Sequence, residues 1–127
     1  MSVIRSGEAL TEAAARTKVD ELLNAVGSVR DLVDWRDELV RLERLRDGAL
    51  RGLEGFPVWE SLLAAGITRA QDNGALAPDA DPDRLATGVM AALRGGLLLA
   101  RTTRDVGQLE TALDMALGYV QAHAVTR

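Results

Sequence analysis

The chain has 127 residues, of which 47% are hydrophobic and 27% charged, a composition typical of one soluble globular domain spanning residues 1–127. Its net charge of −4 gives no basic surface for direct nucleic-acid binding, and the absence of cysteine excludes disulfides, thiolate metal sites and a cysteine nucleophile and suits a cytoplasmic protein. The longest apolar run, residues 95–100, is too short for a membrane span of about 20 residues, so no membrane association is expected.

The first two predicted helices share a short connection. Residues 8–26 are rich in alanine, leucine, glutamate and arginine, which favour a helix, and Gly27 ends it. Ser28 is then a suitable N-cap for a second helix over residues 29–47. Apolar residues recur in that helix at three- and four-residue spacing and include Trp35, so one face is expected to be buried.

A glycine-rich stretch separates the second helix from the third. Three glycines within residues 48–55 predict a loop, and a third helix is predicted from Pro57 to about residue 73, with Gly74 just beyond its end. The region 47–56 is therefore either a loop or a place where a segment is missing.

The fourth helix has the most unusual pattern in the chain. Asp81 and Pro82 predict its start, as N-cap and first helical residue. From residue 85 to residue 100 nearly every position is apolar or small, and a helix with that pattern must be buried on all sides. One short chain cannot easily cover it, so a partner subunit is expected. Gly95 and Gly96, each costing about 1 kcal/mol in a helix, mark either a tight crossing inside the bundle or the closest approach of two subunits.

A fifth helix over about residues 105–122 completes the chain, and it too is apolar on more than one side. Besides its main stripe of apolar residues, this helix has a second, less hydrophobic stripe at Met115, Gly118, Tyr119 and Ala122. No segment alternates with period two, so the predicted fold is all-α: a helical bundle of about five helices.

We expect the last two helices to pair with those of a two-fold partner in a four-helix dimer interface. The residues predicted to form it are Val89, Leu93, Gly96, Leu97, Ala100, Leu109, Leu113, Ala116, Leu117 and Val120. On this prediction, Gly96→Leu weakens the dimer more than it unfolds the monomer.

The candidate chemistry is that of binding rather than catalysis. His123 is the only histidine and lacks a second metal ligand of its kind, and Ser61 and Thr87 have no evident base, so we expect no metal, no cofactor and no enzyme activity. Large flat side chains and methionine suit an apolar pocket, although ordinary core packing would use them equally. The predicted ligand-binding residues are Trp35, Leu39, Phe56, Trp59, Leu63, Met90 and Arg94.

Several stretches carry a resemblance to a known family. Asp81-Pro-Asp-Arg-Leu-Ala, Ala91-Ala-Leu-Arg-Gly-Gly-Leu-Leu-Leu-Ala-Arg and Leu109-Glu-Thr-Ala-Leu-Asp-Met-Ala-Leu resemble the last two helices of TetR-family transcriptional regulators. Trp35-Arg-Asp-Glu-Leu-Val and Phe56-Pro-Val-Trp-Glu-Ser-Leu-Leu resemble two earlier helices. The resemblance implies a C-terminal regulatory domain that forms a homodimer, binds a small-molecule effector and so controls operator binding by an N-terminal helix-turn-helix.

The chain departs from that family pattern in three places. Nothing in residues 1–26 resembles a helix-turn-helix, so nucleic acid is expected to bind only through a domain outside this chain. Relatives usually carry more chain between Asp47 and Phe56, and many have glutamine where this sequence has Arg94. The alternative function is a stand-alone helical dimerisation protein that binds neither ligand nor DNA.

Overall fold

Over the residues that the structure describes, the protein is an all-α bundle of five helices, as the sequence predicts. The computed structural model describes residues 12–45, 48–50 and 57–125, and no strand occurs in these ranges. Residues 8–11 of the first predicted helix lie outside them. The helices are α1 (Glu12–Asn24), α2 (Val29–Leu45), α3 (Pro57–Asp72), α4 (Pro82–Thr103) and α5 (Gly107–Gln121).

Two helices begin at the capping residues that the sequence identifies. At the start of α2, the Ser28 hydroxyl accepts a hydrogen bond from the Asp31 amide at 3.1 Å, and the Asp31 carboxylate accepts one from the Gly27 amide at 2.9 Å. At the start of α4, the Asp81 carboxylate accepts from the amides two and three residues later, at 3.1 and 3.3 Å. Each cap satisfies amides that have no partner inside the helix.

The core forms where α4 packs against α5 and α3, while α1 closes the other side against α2 and α3. Trp35 of α2 and Trp59 of α3 are fully buried and meet edge to face, with ring centroids 5.8 Å apart. This is the preferred arrangement of two aromatic rings, and the pair joins the two helices at the centre of the bundle.

Side chains of α3 hold the connections on either side of it. The Arg69 guanidinium donates to the Val26 carbonyl oxygen at 2.7 Å, just after α1. The Gln71 amide donates to the carbonyl oxygens of Ala77 and Ala80 at 3.0 and 2.7 Å, in the segment before α4. These bonds satisfy loop carbonyls that have no helical partner, and so they fix how α4 enters the bundle.

An arginine joins α2 to α5. The Arg36 guanidinium lies 2.6 Å from the Asp114 carboxylate, 3.4 Å from that of Glu110 and 2.7 Å from that of Asp37. Burial alone would lower the pKa of Arg36, but the hydrogen bond to Asp37 and the nearby carboxylates outweigh it and raise the pKa above its ordinary value. Arg36 therefore stays charged and anchors α5 on α2.

In the described part of the chain, every helix is too short or too polar to cross a lipid bilayer.

Candidate functional site

Most of the predicted ligand-binding residues lie in one buried cluster, which we call the aromatic cluster. It contains Trp35, Leu39, Trp59, Leu63 and Met90, each no more than 2% exposed. They come from α2, α3 and α4 and belong to the hydrophobic core of the bundle, in which the two indole rings are in contact. Phe56, also predicted here, lies outside the described residues.

The two tryptophans differ in how their indole N–H groups are satisfied. Trp59 Nε1 donates to the Asp20 carboxylate of α1 at 2.7 Å. Trp35 Nε1 is buried and finds no acceptor among the described residues. Buried indole N–H groups normally have a partner, so among the described residues Trp35 Nε1 is an unused hydrogen-bond donor of the aromatic cluster. The sequence contained no signal of this difference.

Arg94 is not part of the aromatic cluster. It is exposed, while Leu93 and Leu97 of the same helix are buried. The sequence pattern predicts that Arg94, in an otherwise apolar helix, pairs with an acid of the same bundle, an acid across the dimer or a ligand carboxylate. Helical periodicity turns it outward instead, so its charge remains in water and needs no buried partner.

The residues predicted for the dimer interface lie largely inside this chain. All are buried within it except Ala116, which is half-buried: Val89, Leu93, Gly96, Leu97, Ala100, Leu109, Leu113, Leu117 and Val120. They form the contact between α4, α5 and the rest of the bundle. Since these side chains are already covered, a second subunit would meet the other side of the same helices.

Gly96 explains why α4 and α5 come so close. A Cβ atom at this position would lie 3.1 Å from the Leu109 Cα and 3.1 Å from the Ala112 Cβ, tighter than ordinary van der Waals contact. Of the two interpretations of the glycine pair, the tight crossing inside the bundle therefore holds for Gly96. The close packing predicts that Gly96→Leu also destabilises the monomer, because a leucine there would press against α5.

Gly95 belongs to a different surface, the outer face of α4 and α5. A Cβ atom at Gly88, Gly95 or Gly118 would meet nothing within 4 Å. Large apolar side chains surround these glycines and are 50–74% exposed: Leu98, Leu99, Met115 and Tyr119. Met115, Gly118 and Tyr119 belong to the second stripe of the α5 sequence pattern, whereas Leu98 and Leu99 are not among the residues predicted for the dimer interface.

The outer face is continuous across both helices. A groove of about 280 Å³ runs between them, with Gly88 of α4 and Tyr119 of α5 among the residues that line it. The glycines and exposed apolar residues of α4 repeat at three- and four-residue spacing, the pattern with which helices pack side by side. The outer face is thus a largely apolar helical surface, with Arg84 also lining its groove and no covering element among the described residues.

His123 near the C-terminus packs against Tyr119, with ring centroids 5.2 Å apart, and its Nδ1 lies 3.0 Å from the Tyr119 carbonyl oxygen. Within the described ranges, no three possible metal-binding side chains gather in one place.

Comparison with known proteins gives one match. A family model described as "Tetracyclin repressor-like, C-terminal domain" matches residues 40–116. No curated protein and no solved structure matches the chain. The matched region runs from the end of α2 through α3 and α4 into α5, and it includes Trp59, Met90 and most of the outer face.

Proposed function

Because the chain belongs to the family of tetracyclin repressor-like C-terminal domains, we propose that it is the regulatory domain of a TetR-like transcriptional regulator. In this proposal it forms a homodimer through the outer face and binds a small hydrophobic effector at the aromatic cluster. The effector controls operator binding by an N-terminal helix-turn-helix outside this chain. Domains of this family are regulatory, so we expect a cytoplasmic, non-enzymatic protein.

The observation that carries the proposal is the solvent-exposed glycines of the outer face. Glycine in a helix costs about 1 kcal/mol relative to alanine, and Gly88, Gly95 and Gly118 have open space where a methyl group would lie. Packing inside the chain therefore does not require them. The close approach of a helix from a partner would require glycine at these positions. The exposed apolar side chains beside the glycines supply the surface that such a contact would bury.

A second copy of the chain is the partner that fits this surface best. α4 and α5 already form an antiparallel pair, so a two-fold axis over the outer face would bring two such pairs together as a four-helix bundle. Leu98, Leu99, Met115 and Tyr119 would then be buried against the same residues of the partner.

Sedimentation velocity at micromolar concentration tests the dimer. We expect the wild type to sediment as a dimer and Leu98→Glu as a monomer with an unchanged helical circular dichroism spectrum, because Leu98 is 67% exposed within the chain. Val58→Glu is the matched control, since Val58 is an exposed apolar residue on α3. A monomeric wild type, or equal effects of the two variants, contradicts a dimer through the outer face.

The ligand-binding part of the proposal rests on the unused donor of the aromatic cluster. Leaving a buried N–H without an acceptor costs about 1–3 kcal/mol, and an effector oxygen that accepts from Trp35 Nε1 would recover this energy. The surrounding leucine and methionine side chains favour an apolar ligand body. The expected effector is therefore a hydrophobic molecule with at least one hydrogen-bond acceptor.

Thermal shift against a library of such molecules tests this part. We expect some compounds to raise the melting temperature of the wild type, and Trp35→Phe to reduce that increase because it removes the donor. Arg94→Gln is the control, since Arg94 is exposed and outside the aromatic cluster. If the wild type dimerises but no compound stabilises it, the alternative of a stand-alone dimerisation protein is favoured.

A further inference from the structure

A second cavity lies away from both the aromatic cluster and the outer face. It is a cleft of about 340 Å³ where the end of α2 meets the turn between α4 and α5. We call it the arginine cleft, after its most frequent residue. It is lined by Glu43, Arg44, Ala100, Arg101, Arg104 and Val106.

Among the described residues that line the arginine cleft, three are arginines and one is an acid. The acid is Glu43, which is 3% exposed. Glu43 accepts from the Leu50 amide at 3.4 Å and lies 3.6 Å from Arg101 Nε. The Glu43 carboxylate is therefore already engaged within the chain, and its ion pair keeps Arg101 at the wall of the cleft.

The other two arginines leave positive charge available in the cleft. Arg44 lies 3.4 Å from the Glu110 carboxylate and is more than half exposed, so this ion pair is weak. Arg104 is exposed, and the described residues offer its side chain no ion-pair partner. An anion in the arginine cleft would share Arg101 with Glu43 and would meet Arg104, for which the described residues offer no ion-pair partner.

Arg104 also has an unusual backbone conformation. It ends α4 in the left-handed region, with φ 57° and ψ 40°, where glycine or asparagine normally stands. Elsewhere in the described chain, positive φ occurs only at Gly48 and Gly74. A bulky residue kept in a strained conformation points to a role for its side chain. Here that side chain lines a cavity.

The start of α5 also borders the arginine cleft, where the Asp105 carboxylate offsets the positive end of the helix dipole. Its N-cap, Val106, lines the cleft and makes no side-chain capping bond, so the positive end of the helix dipole lies beside the cavity. The Asp105 carboxylate accepts a hydrogen bond from the Gly107 amide, the first of the helix, at 2.9 Å. Ala100 and Val106 give the cleft a small apolar wall.

We propose that the arginine cleft binds a small organic anion, with its carboxylate or phosphate group between Arg101 and Arg104. Guanidinium groups bind both kinds of oxyanion through paired hydrogen bonds. The ligand's apolar part packs against Ala100 and Val106, and the volume of the cleft suits a molecule of about one ring. This site is separate from the effector site at the aromatic cluster and does not depend on it.

The test is an NMR titration of the ¹⁵N-labelled protein in a low-salt, phosphate-free buffer. The probes are benzoate, phenyl phosphate and, as an uncharged analogue, benzyl alcohol. We expect at least one anion to give saturable shift changes at the amides of Ala100, Arg101, Arg104 and Val106, and benzyl alcohol to give none. The probe that binds more tightly identifies the anion class.

Two variants show whether the cleft is responsible. Arg104→Gly removes the side chain and relaxes the backbone, so the variant folds, and we expect its affinity for the better probe to fall at least tenfold. Arg94→Ala removes the same charge from the exposed side of α4, and its affinity should stay within twofold of the wild type. Equal affinities of Arg104→Gly and the wild type overturn the proposal, as do shifts spread over exposed arginines outside the cleft.

Discussion

The adjacent glycines of α4 should respond in opposite directions to the same substitution. Gly95→Ala adds a methyl group to open space, so within one chain only the gain in helix propensity, about 1 kcal/mol, remains. Gly96→Ala has the same gain, but its methyl group would lie 3.1 Å from the Leu109 Cα and the Ala112 Cβ. Overpacking of this kind costs about 1–3 kcal/mol, and the Leu109 backbone cannot move without α5. We expect Gly96→Ala to be net destabilising by up to about 2 kcal/mol.

Urea unfolding followed by circular dichroism at two protein concentrations separates the monomer from the dimer. At a concentration where the wild type is monomeric, Gly95→Ala should raise the urea midpoint and Gly96→Ala should lower it, with similar slopes. At high concentration a dimer adds stability by mass action, and the benefit of Gly95→Ala should shrink because its methyl group meets the partner.

If the two alanine variants shift the monomer midpoint in the same direction by the same amount, α5 does not pack closely on Gly96. If the benefit of Gly95→Ala is independent of protein concentration while the wild type dimerises, Gly95 is not at the dimer contact.

Three further predictions concern single side chains. Trp59→Phe should destabilise the ligand-free protein by at least about 2 kcal/mol more than Trp35→Phe in urea unfolding, because only Trp59 Nε1 loses a bond to a carboxylate; equal losses would contradict the unused donor. Arg104→Gly should raise stability by up to about 1 kcal/mol, measured in the same way, and a loss would show that the left-handed backbone is not strained. Asp81→Ala should cost about 1 kcal/mol through the lost N-cap, whereas Asp79→Ala, a neighbouring control with no capping role, should cost little.

The five helices and the starts of α2 and α4 could be predicted because their causes are local, whereas α5 begins at Gly107 rather than at about residue 105. Ser28 and Asp81 cap the helices that follow them through bonds to amides within three residues, so the sequence alone identifies both starts. The resemblance to TetR regulators likewise rests on patterns within single helices, and it agrees with the family match over residues 40–116.

Contacts between distant segments could not be predicted in this way. The arginine cleft joins Glu43 to residues almost sixty positions later, and nothing near Glu43 in the sequence indicates that pairing. The difference between Trp35 and Trp59 depends on whether Asp20 of α1 reaches the indole, which is decided by how α1 docks on α3.

The sequence by itself determined that α4 and α5 carry more apolar surface than one packing face needs. It could not determine which side of α4 faces inward, because a helix that is apolar on nearly every side has no polar face to orient it. The tertiary structure decided this at Gly96, where the missing side chain lets α5 approach. That contact buries Leu93 and Leu97 within the chain and leaves Leu98, Leu99 and Arg94 on the outside.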